Sequence, residues 1–377
     1  MKLLYFSKTS FIGPSSRYRI YQYIPYLRKA GIEVEVCPLF REGWFWILEM
    51  RPFPLRLLAK ATYSSIRFAV RLRDLFKVQK HDLYVFEHQA LPYLPAFLEM
   101  MCKGINPNMV LEFDDAIFLT FLHGRKIPRL IRMSKHVIAG NDYLRDYALR
   151  FNPNVTVIPT VIDTGRYQPK EHYGFNDRPV IGWVGLAYNL GYLEGLRGAL
   201  VRLKEEVGEF ELRIICSRPL EMEGINPSFK RWSYDDEVAD IRGFDVGIMP
   251  LPDDEWAKGK CGLKVLQYMA CGVPVVASPV GVNAEIIKDG ENGLLARDEK
   301  EWVEKLSLLL RDEELRRQMG RAGRKTVEER YSLRLWGPRL AGLYRQLVEG
   351  RIASSRSTSR RCSSSSPLKK SASGYLP

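Results

Sequence analysis

No run of apolar residues in this chain approaches the roughly 20 in succession that a membrane-spanning helix needs, which excludes a helical transmembrane segment. A secretory leader is not expected either. The apolar opening MKLLYFSKTSFIG runs into a glycine turn with no small-residue cleavage site after it. Cysteine is scarce, with six scattered residues and no CxxC pair. That excludes a compact disulfide framework and argues against structural zinc, so a reducing, cytoplasmic setting is expected. Acidic residues are missing altogether from the stretch 351–377, which carries six basic ones among many serines. It has too little apolar surface to offset the entropy of ordering and is expected to be a disordered tail.

What is present is ordinary for a globular protein: 46% hydrophobic and 27% charged residues over 377 positions, enough for two domains. The net charge of +13 is unevenly spread. Residues 41–80 hold nine Arg or Lys against Glu42, Glu49 and Asp74, and together with the tail they account for nearly all of it. Such a face suits nucleic acid, anionic lipid or a phosphorylated substrate, or it is simply a solvated surface. No helix-turn-helix, zinc or RNP-like signature supports a nucleic-acid partner, and none is expected.

The order of elements is more telling. Lys2–Ser7 predicts a strand, the loop 11–17 a glycine turn, residues 18–30 a helix and residues 32–38 a second strand. That is the opening unit of a doubly wound parallel sheet. Further strands are expected at 82–86, 109–113, 136–139 and 155–158, followed by a polar linker. The pattern restarts at Arg178-Pro-Val-Ile-Gly-Trp-Val-Gly185, with strands at 211–216, 244–249 and 273–277 between helices. The fold class read from this is α/β, two Rossmann-like domains facing across a cleft. The expected division is 1–170, 171–335, a C-terminal helix 336–350 and the tail 351–377.

In such sheets ligands bind beyond the carboxyl ends of the strands. Three loops qualify as donor-binding candidates: Gly13 to Arg17, with Arg17 or Arg19 to pair a phosphate; Gly185 to Asn189; and Lys258-Gly-Lys260-Cys-Gly-Leu-Lys264 ahead of a helix. Glycine lets a backbone approach a phosphate, and lysines at a helix start add charge. Surface lysines at a helix start are also common for no such reason.

The string opening at Lys260, KCGLKVLQYMACGVPVVASPVGVNAEIIKDGENGLL, closely resembles the C-terminal half of family 4 glycosyltransferases of the GT-B fold. The later Met319-Gly-Arg-Ala-Gly-Arg324 and Tyr331-Ser332 stretches fit the same pattern. The likeness is strong over roughly 180–345 and weaker over 13–19 and 141–167. It implies a nucleoside-diphosphate sugar as donor, no cofactor, no metal and retention of anomeric configuration. It also implies two glutamates, with seven residues between them, that contact sugar and ribose. At those positions this chain has Gly259, which offers no side chain to a sugar, and Gln267, a donor-binding candidate that can still hydrogen-bond a ribose hydroxyl, so both carboxylates are missing. The family's Arg and Lys after the glycine-turn strand are missing as well, which leaves Lys260 and Lys264 for the diphosphate. The resemblance therefore points to a divergent subgroup, or to a non-catalytic binding protein of a glycan-assembly complex.

The pair Asp114-Asp115 ends an apolar strand, where the family often carries a sugar-contacting histidine. It is expected either to bind sugar or acceptor hydroxyls, as the catalytic candidate, or to cap a helix starting near Ala116. Asn141 carries the same two readings. His88 follows another strand end as a candidate base or a structural histidine. The Asp253-Asp254-x-Trp256 segment looks like a carboxylate cluster but reads as a solvated loop. Finally, Trp44, Phe45, Trp46 and Ile47 precede a helix expected over 55–78. Leu58, Thr62, Ile66, Ala69, Leu72 and Phe76 lie on one side of it and Arg56, Lys60, Arg67 and Arg71 on the other. Either the apolar side packs on the sheet, or the segment meets an anionic membrane surface. The second reading suits a glycan or lipid-linked acceptor and a peripheral position on the inner face of the cytoplasmic membrane.

Overall fold

The computed structural model describes residues 1–120, 124–175 and 178–350, so the expected disordered tail 351–377 lies outside the described residues. Two six-stranded sheets, parallel throughout, form the two domains. The first is ordered β2-β1-β3-β4-β5-β6 and is built from β1 (Lys2–Thr9), β2 (Glu33–Phe40), β3 (Leu83–Glu87), β4 (Met109–Phe113), β5 (His136–Ala139) and β6 (Val155–Val157). The second is ordered β12-β11-β10-β7-β8-β9. Its strands are β7 (Val180–Val184), β8 (Glu211–Cys216), β9 (Ser228–Arg231), β10 (Val246–Met249), β11 (Val275–Ala277) and β12 (Leu294–Leu295). Strands β3, β4, β5 and β7 are buried along their whole length, as expected where helices cover both faces of a parallel sheet.

Four differences from the sequence reading have local causes. The helix expected over 18–30 is broken into Pro14–Arg19, a 3-10 turn at Tyr21–Tyr23 and Ile24–Lys29. Pro25 has no N–H for the Tyr21 carbonyl, so an unbroken helix would lose that bond, and the chain restarts with the proline in a first turn. The helical segment expected between the 178–185 strand and the strand at 211–216 is likewise split at Gly195, into Leu190–Glu194 and Arg197–Val207. Strand β9 went unread because its residues, Ser-Phe-Lys-Arg, carry no apolar alternation, and β12 is only two residues long. The long basic helix runs over Phe53–Leu75 and is preceded by its own short helix, Glu42–Glu49.

The chain crosses between the domains twice, and the crossings lie side by side. The Ile162 N–H donates to Tyr331 O, and the Leu333 N–H donates to Ile162 O, both at 2.9 Å. The last helix, Leu333–Glu349, then packs Leu340, Tyr344 and Leu347 on the first sheet. Among the described residues no helix is long and apolar enough to cross a membrane.

Candidate active site

The carboxyl ends of β1, β3 and β4 face those of β7 and β10, and the polar residues gather there. Lys260 and Lys264 flank the start of the helix Leu263–Ala270, whose N-cap, Gly262, has left-handed backbone. Lys260 reaches across the cleft to Asp115, with Nζ 3.6 Å from the carboxylate, and lies 5.6 Å from the Trp256 ring. The Lys264 ammonium stands 5.4 Å from the Trp183 ring centre and makes no hydrogen bond or ion pair among the described residues. Burial, and then the charge of Lys260, lower its pKa to about 8, against a smaller opposing pull from Asp115. Gly185 is required beneath it: a Cβ there would sit 2.5 Å from the Trp183 ring and 2.9 Å from the Lys264 side chain. Asn189 closes the adjoining turn, donating its N–H to Leu186 O at 2.9 Å.

On the opposite wall, His88 Nε2 lies 3.1 Å from an Asp114 oxygen. His88 is buried and holds φ at +65°, a left-handed backbone rare for a residue with a Cβ and commonest where a site dictates it. Burial disfavours the charged Asp114 carboxylate, but hydrogen bonds from His88 and Ser15 and the charge of Arg19 outweigh it and hold the group at about 2. Asp115 is pushed the other way, by burial and by Asp114, with Lys260 opposing. The capping alternative for this pair falls away. The short helical turn Ile117–Leu119 starts from Ala116 and has no side-chain cap.

Several other expectations are corrected. Asn141 is a cap and a clamp rather than a ligand group. Its oxygen accepts from Leu144 N–H at 2.8 Å, and its amide donates to the carbonyls of Lys258 and Lys260. Asp254 caps the helix Glu255–Lys258, and Asp253 pairs with Lys258. Gly13 donates its N–H to Ser10 O and packs against Thr9, so it presents no free amide to a phosphate. Arg19 is buried in an ion pair with Glu112. Arg17 is drawn away from any phosphate by Glu237, whose oxygen lies 3.5 Å off, and by a ring of Phe11, Tyr18, Trp232 and Tyr234. Gln267 is buried, and its amide donates to the Tyr18 and Tyr167 hydroxyls at 3.0 Å, so it is closed to a ribose. Glu237, the hub of this knot, was not singled out in the sequence. It sits in the polar stretch Ser233-Tyr-Asp-Asp-Glu237, where nothing marks one carboxylate over its neighbours.

Gly259 is closed off as well. A Cβ on it would come within 2.6 Å of the Ala116 Cβ and 2.7 Å of the Ala116 nitrogen. First-domain backbone thus fills the space beside Gly259, and the carboxylate nearby is that of Asp115. We expect Gly259→Glu to lower stability by about 1–3 kcal/mol through overpacking, and to raise no activity. Thermal melting together with a donor-turnover assay checks both parts.

A family model described as Glycosyl transferases group 1 matches residues 178–312. That stretch, a little over a third of the chain, is similar to the group 1 glycosyltransferases. Over 233 residues the chain is 27% identical to a GDP-mannose-dependent phosphatidylinositol monomannoside mannosyltransferase of Mycolicibacterium smegmatis, covering 55% of this chain and 61% of the relative. Over 98 residues it is 35% identical to an N-acetyl-alpha-D-glucosaminyl L-malate synthase of Bacillus anthracis, covering 26% of this chain and 25% of the relative. The chain therefore spans between a quarter and about three fifths of the length of these two relatives. Among solved structures, Anabaena HepE in complex with UDP-glucose superposes with a TM-score of 0.68 at 16% identity, covering 92% of this chain and 100% of that one. The fold is that of the GT-B glycosyltransferases, and the stretch 178–312 that matches the family model supplies Lys260, Lys264 and Gly185 to the cleft.

Proposed function

We propose that the chain transfers a sugar from a nucleoside-diphosphate sugar to a glycan, lipid-linked or small acceptor, with retention of configuration and without a bound metal. The observation that carries this reading is Lys264, an ammonium with no ion pair among the described residues, beside Lys260 at a helix start and opposite the Asp115 carboxylate and the His88–Asp114 dyad. A diphosphate supplies the missing negative charge, and the helix N-terminus adds to the attraction. Asp115 and His88 then lie on the side where sugar hydroxyls and the acceptor must sit.

In the step we infer, the bond from the anomeric carbon to the diphosphate oxygen breaks and the acceptor oxygen bonds to that carbon on the same face. The acceptor proton passes to the departing diphosphate. The chain's part is placement and charge stabilisation, for which no protein nucleophile is needed. Asp114, ionised under the influence of His88, fixes the imidazole orientation.

A second reading, a non-catalytic binding protein in a glycan-assembly complex, is favoured by one observation. Both positions at which the group 1 pattern carries glutamate are packed shut here, by Ala116 and by two tyrosines. The two readings separate in one experiment. The protein is incubated with UDP, GDP and ADP and with their common sugar conjugates, and thermal shift and diphosphate release are followed. Selective stabilisation by one base together with release from its sugar conjugate is the expected result. Stabilisation without release from any donor would give the second reading the stronger claim.

A further inference from the structure

The helix Phe53–Leu75 is turned the opposite way from an ordinary surface helix. Two of its four arginines, Arg67 and Arg71, point in. Arg67 donates to the Leu39 carbonyl at 2.8 Å and to the Pro38 carbonyl at 2.6 Å. Arg71 is buried, donates to the Ser7 carbonyl at 2.6 Å and lies 5.2 Å from the Phe6 ring centre. These contacts tie the helix to the carboxyl ends of β1 and β2, and they rotate the apolar stripe into solvent. Leu58 is 65% exposed, Ile66 58% and Leu72 42%, and at the hairpin end Phe53 is 63% and Trp46 77% exposed. The sequence reading had this stripe either packed on the sheet or facing a membrane, and the packed alternative is excluded.

Of the twenty-one large hydrophobic side chains exposed among the described residues, nine fall in 46–76 and six more in 93–105. The second group lies on the helix Phe97–Ile105 and the loop before it, a loop that begins at His88. Scattered exposed hydrophobics are normal, but this concentration in one domain is not.

We propose that this face docks on an anionic lipid bilayer, inserting the outward side chains of 46–76 at the boundary between headgroups and acyl chains. Charge selects this occupant. Residues 41–80 carry nine cations against three acids. Two of those acids are already engaged, Asp74 by Lys77 at 3.0 Å and Glu49 by Arg231. Arg41, Arg51, Arg73 and Lys80 stand exposed around the apolar stripe. A second copy of the chain would bring two such basic rims together and be repelled, whereas anionic headgroups complement the rim as the apolar stripe enters the bilayer. The loop that leads to the second exposed group begins at His88, and on this proposal docking turns the acceptor side of the cleft towards the membrane. The proposal does not depend on the donor chemistry.

The test is flotation of the full chain with vesicles of phosphatidylcholine plus phosphatidylglycerol, and with phosphatidylcholine alone. Preference for the anionic vesicles is expected, with part of the binding retained at about 1 M salt, where the screening length is about 3 Å. Leu57→Glu/Leu58→Glu/Ile66→Glu should lower the bound fraction about tenfold or more, with its melting curve and its nucleotide response unchanged because all three side chains are exposed. Equal binding of the triple variant, or complete release of the parent protein by salt, would overturn the proposal and leave charge alone as the attraction. A dimer in sedimentation that the triple variant breaks would overturn it in favour of a second copy.

Discussion

Lys264→Ala is expected to abolish the stabilisation of this protein by nucleoside diphosphates while leaving the unliganded protein no less stable than before. The two halves have the same cause. The ammonium is packed between Trp183 and the Gly185 turn, is repelled by Lys260 and makes no ion pair among the described residues. Holding it there costs the empty protein, and the cost turns into attraction only when a diphosphate arrives. Hydrogen bonds from a charged donor are worth about 1.5–3 kcal/mol, so affinity should fall by about ten- to more than a hundredfold.

The lowered pKa of Lys264, about 8, adds a pH signature. Below about pH 8 the amine is charged in both the folded and the unfolded chain. Between that value and the ordinary lysine range near 10.4, the unfolded chain keeps the proton and the folded one has lost it. The unliganded protein therefore gains stability as pH rises through this window. Nucleotide binding runs the other way, because the diphosphate needs the charged amine. Above about pH 8 binding must take up a proton, and affinity should fall by up to about tenfold per pH unit. Thermal shifts with and without nucleotide, taken on both sides of this value, reveal the two slopes. Lys264→Ala should show neither. A variant that still binds nucleotide with the parent's pH dependence would remove Lys264 from the site.

Much of this architecture could be read in the sequence, for identifiable reasons. Strands such as Leu83–Glu87 and Val180–Val184 are buried on both faces, so they stand out as short apolar runs between glycine turns and helices. Lys260 and Lys264 were legible because glycines and a helix start surround them. What could not be read depends on contacts between residues far apart in the chain. Arg17 in a glycine turn looks like a phosphate ligand until Glu237, far along the chain, is placed against it. Gln267 looks like a diminished ribose contact until two tyrosines, Tyr18 of the first domain and Tyr167 of the linker, are found on its amide. His88 looks like a solitary histidine because its partner, Asp114, lies on the neighbouring strand's end. The turned-in arginines of 53–75 follow the same logic. Helical periodicity separates two faces but does not say which one is buried, and carbonyls at the ends of β1 and β2 decided in favour of the basic side.

Glu237→Ala should be among the most destabilising single changes in the cleft, at about 3–5 kcal/mol. The carboxylate is buried and accepts from Trp232 Nε1 at 2.9 Å, from the Tyr167 hydroxyl, from the Tyr18 hydroxyl at 3.4 Å and from Arg17 at 3.5 Å. Removing it strands a guanidinium that is itself buried and whose Nε already lacks a partner. The aromatic ring around Arg17 offers a favourable surface to a cation but no negative charge, and it is a poor replacement in a dry site. Arg17 belongs to the first domain and Glu237 to the second, so the lost pair also loosens the closed arrangement that brings Lys260 to Asp115. Arg17→Met/Glu237→Leu removes both charges and leaves neither unpaired. It should recover most of the lost stability without recovering the tie between domains. Denaturant melting of the two single variants and the double variant measures the coupling, and small-angle scattering measures the separation. A large coupling with an expanded double variant makes this pair the clasp of the cleft. If Glu237→Ala melts with the parent protein, the guanidinium must reach water when its partner is lost, and closure must rest on Lys260 and Asp115 instead.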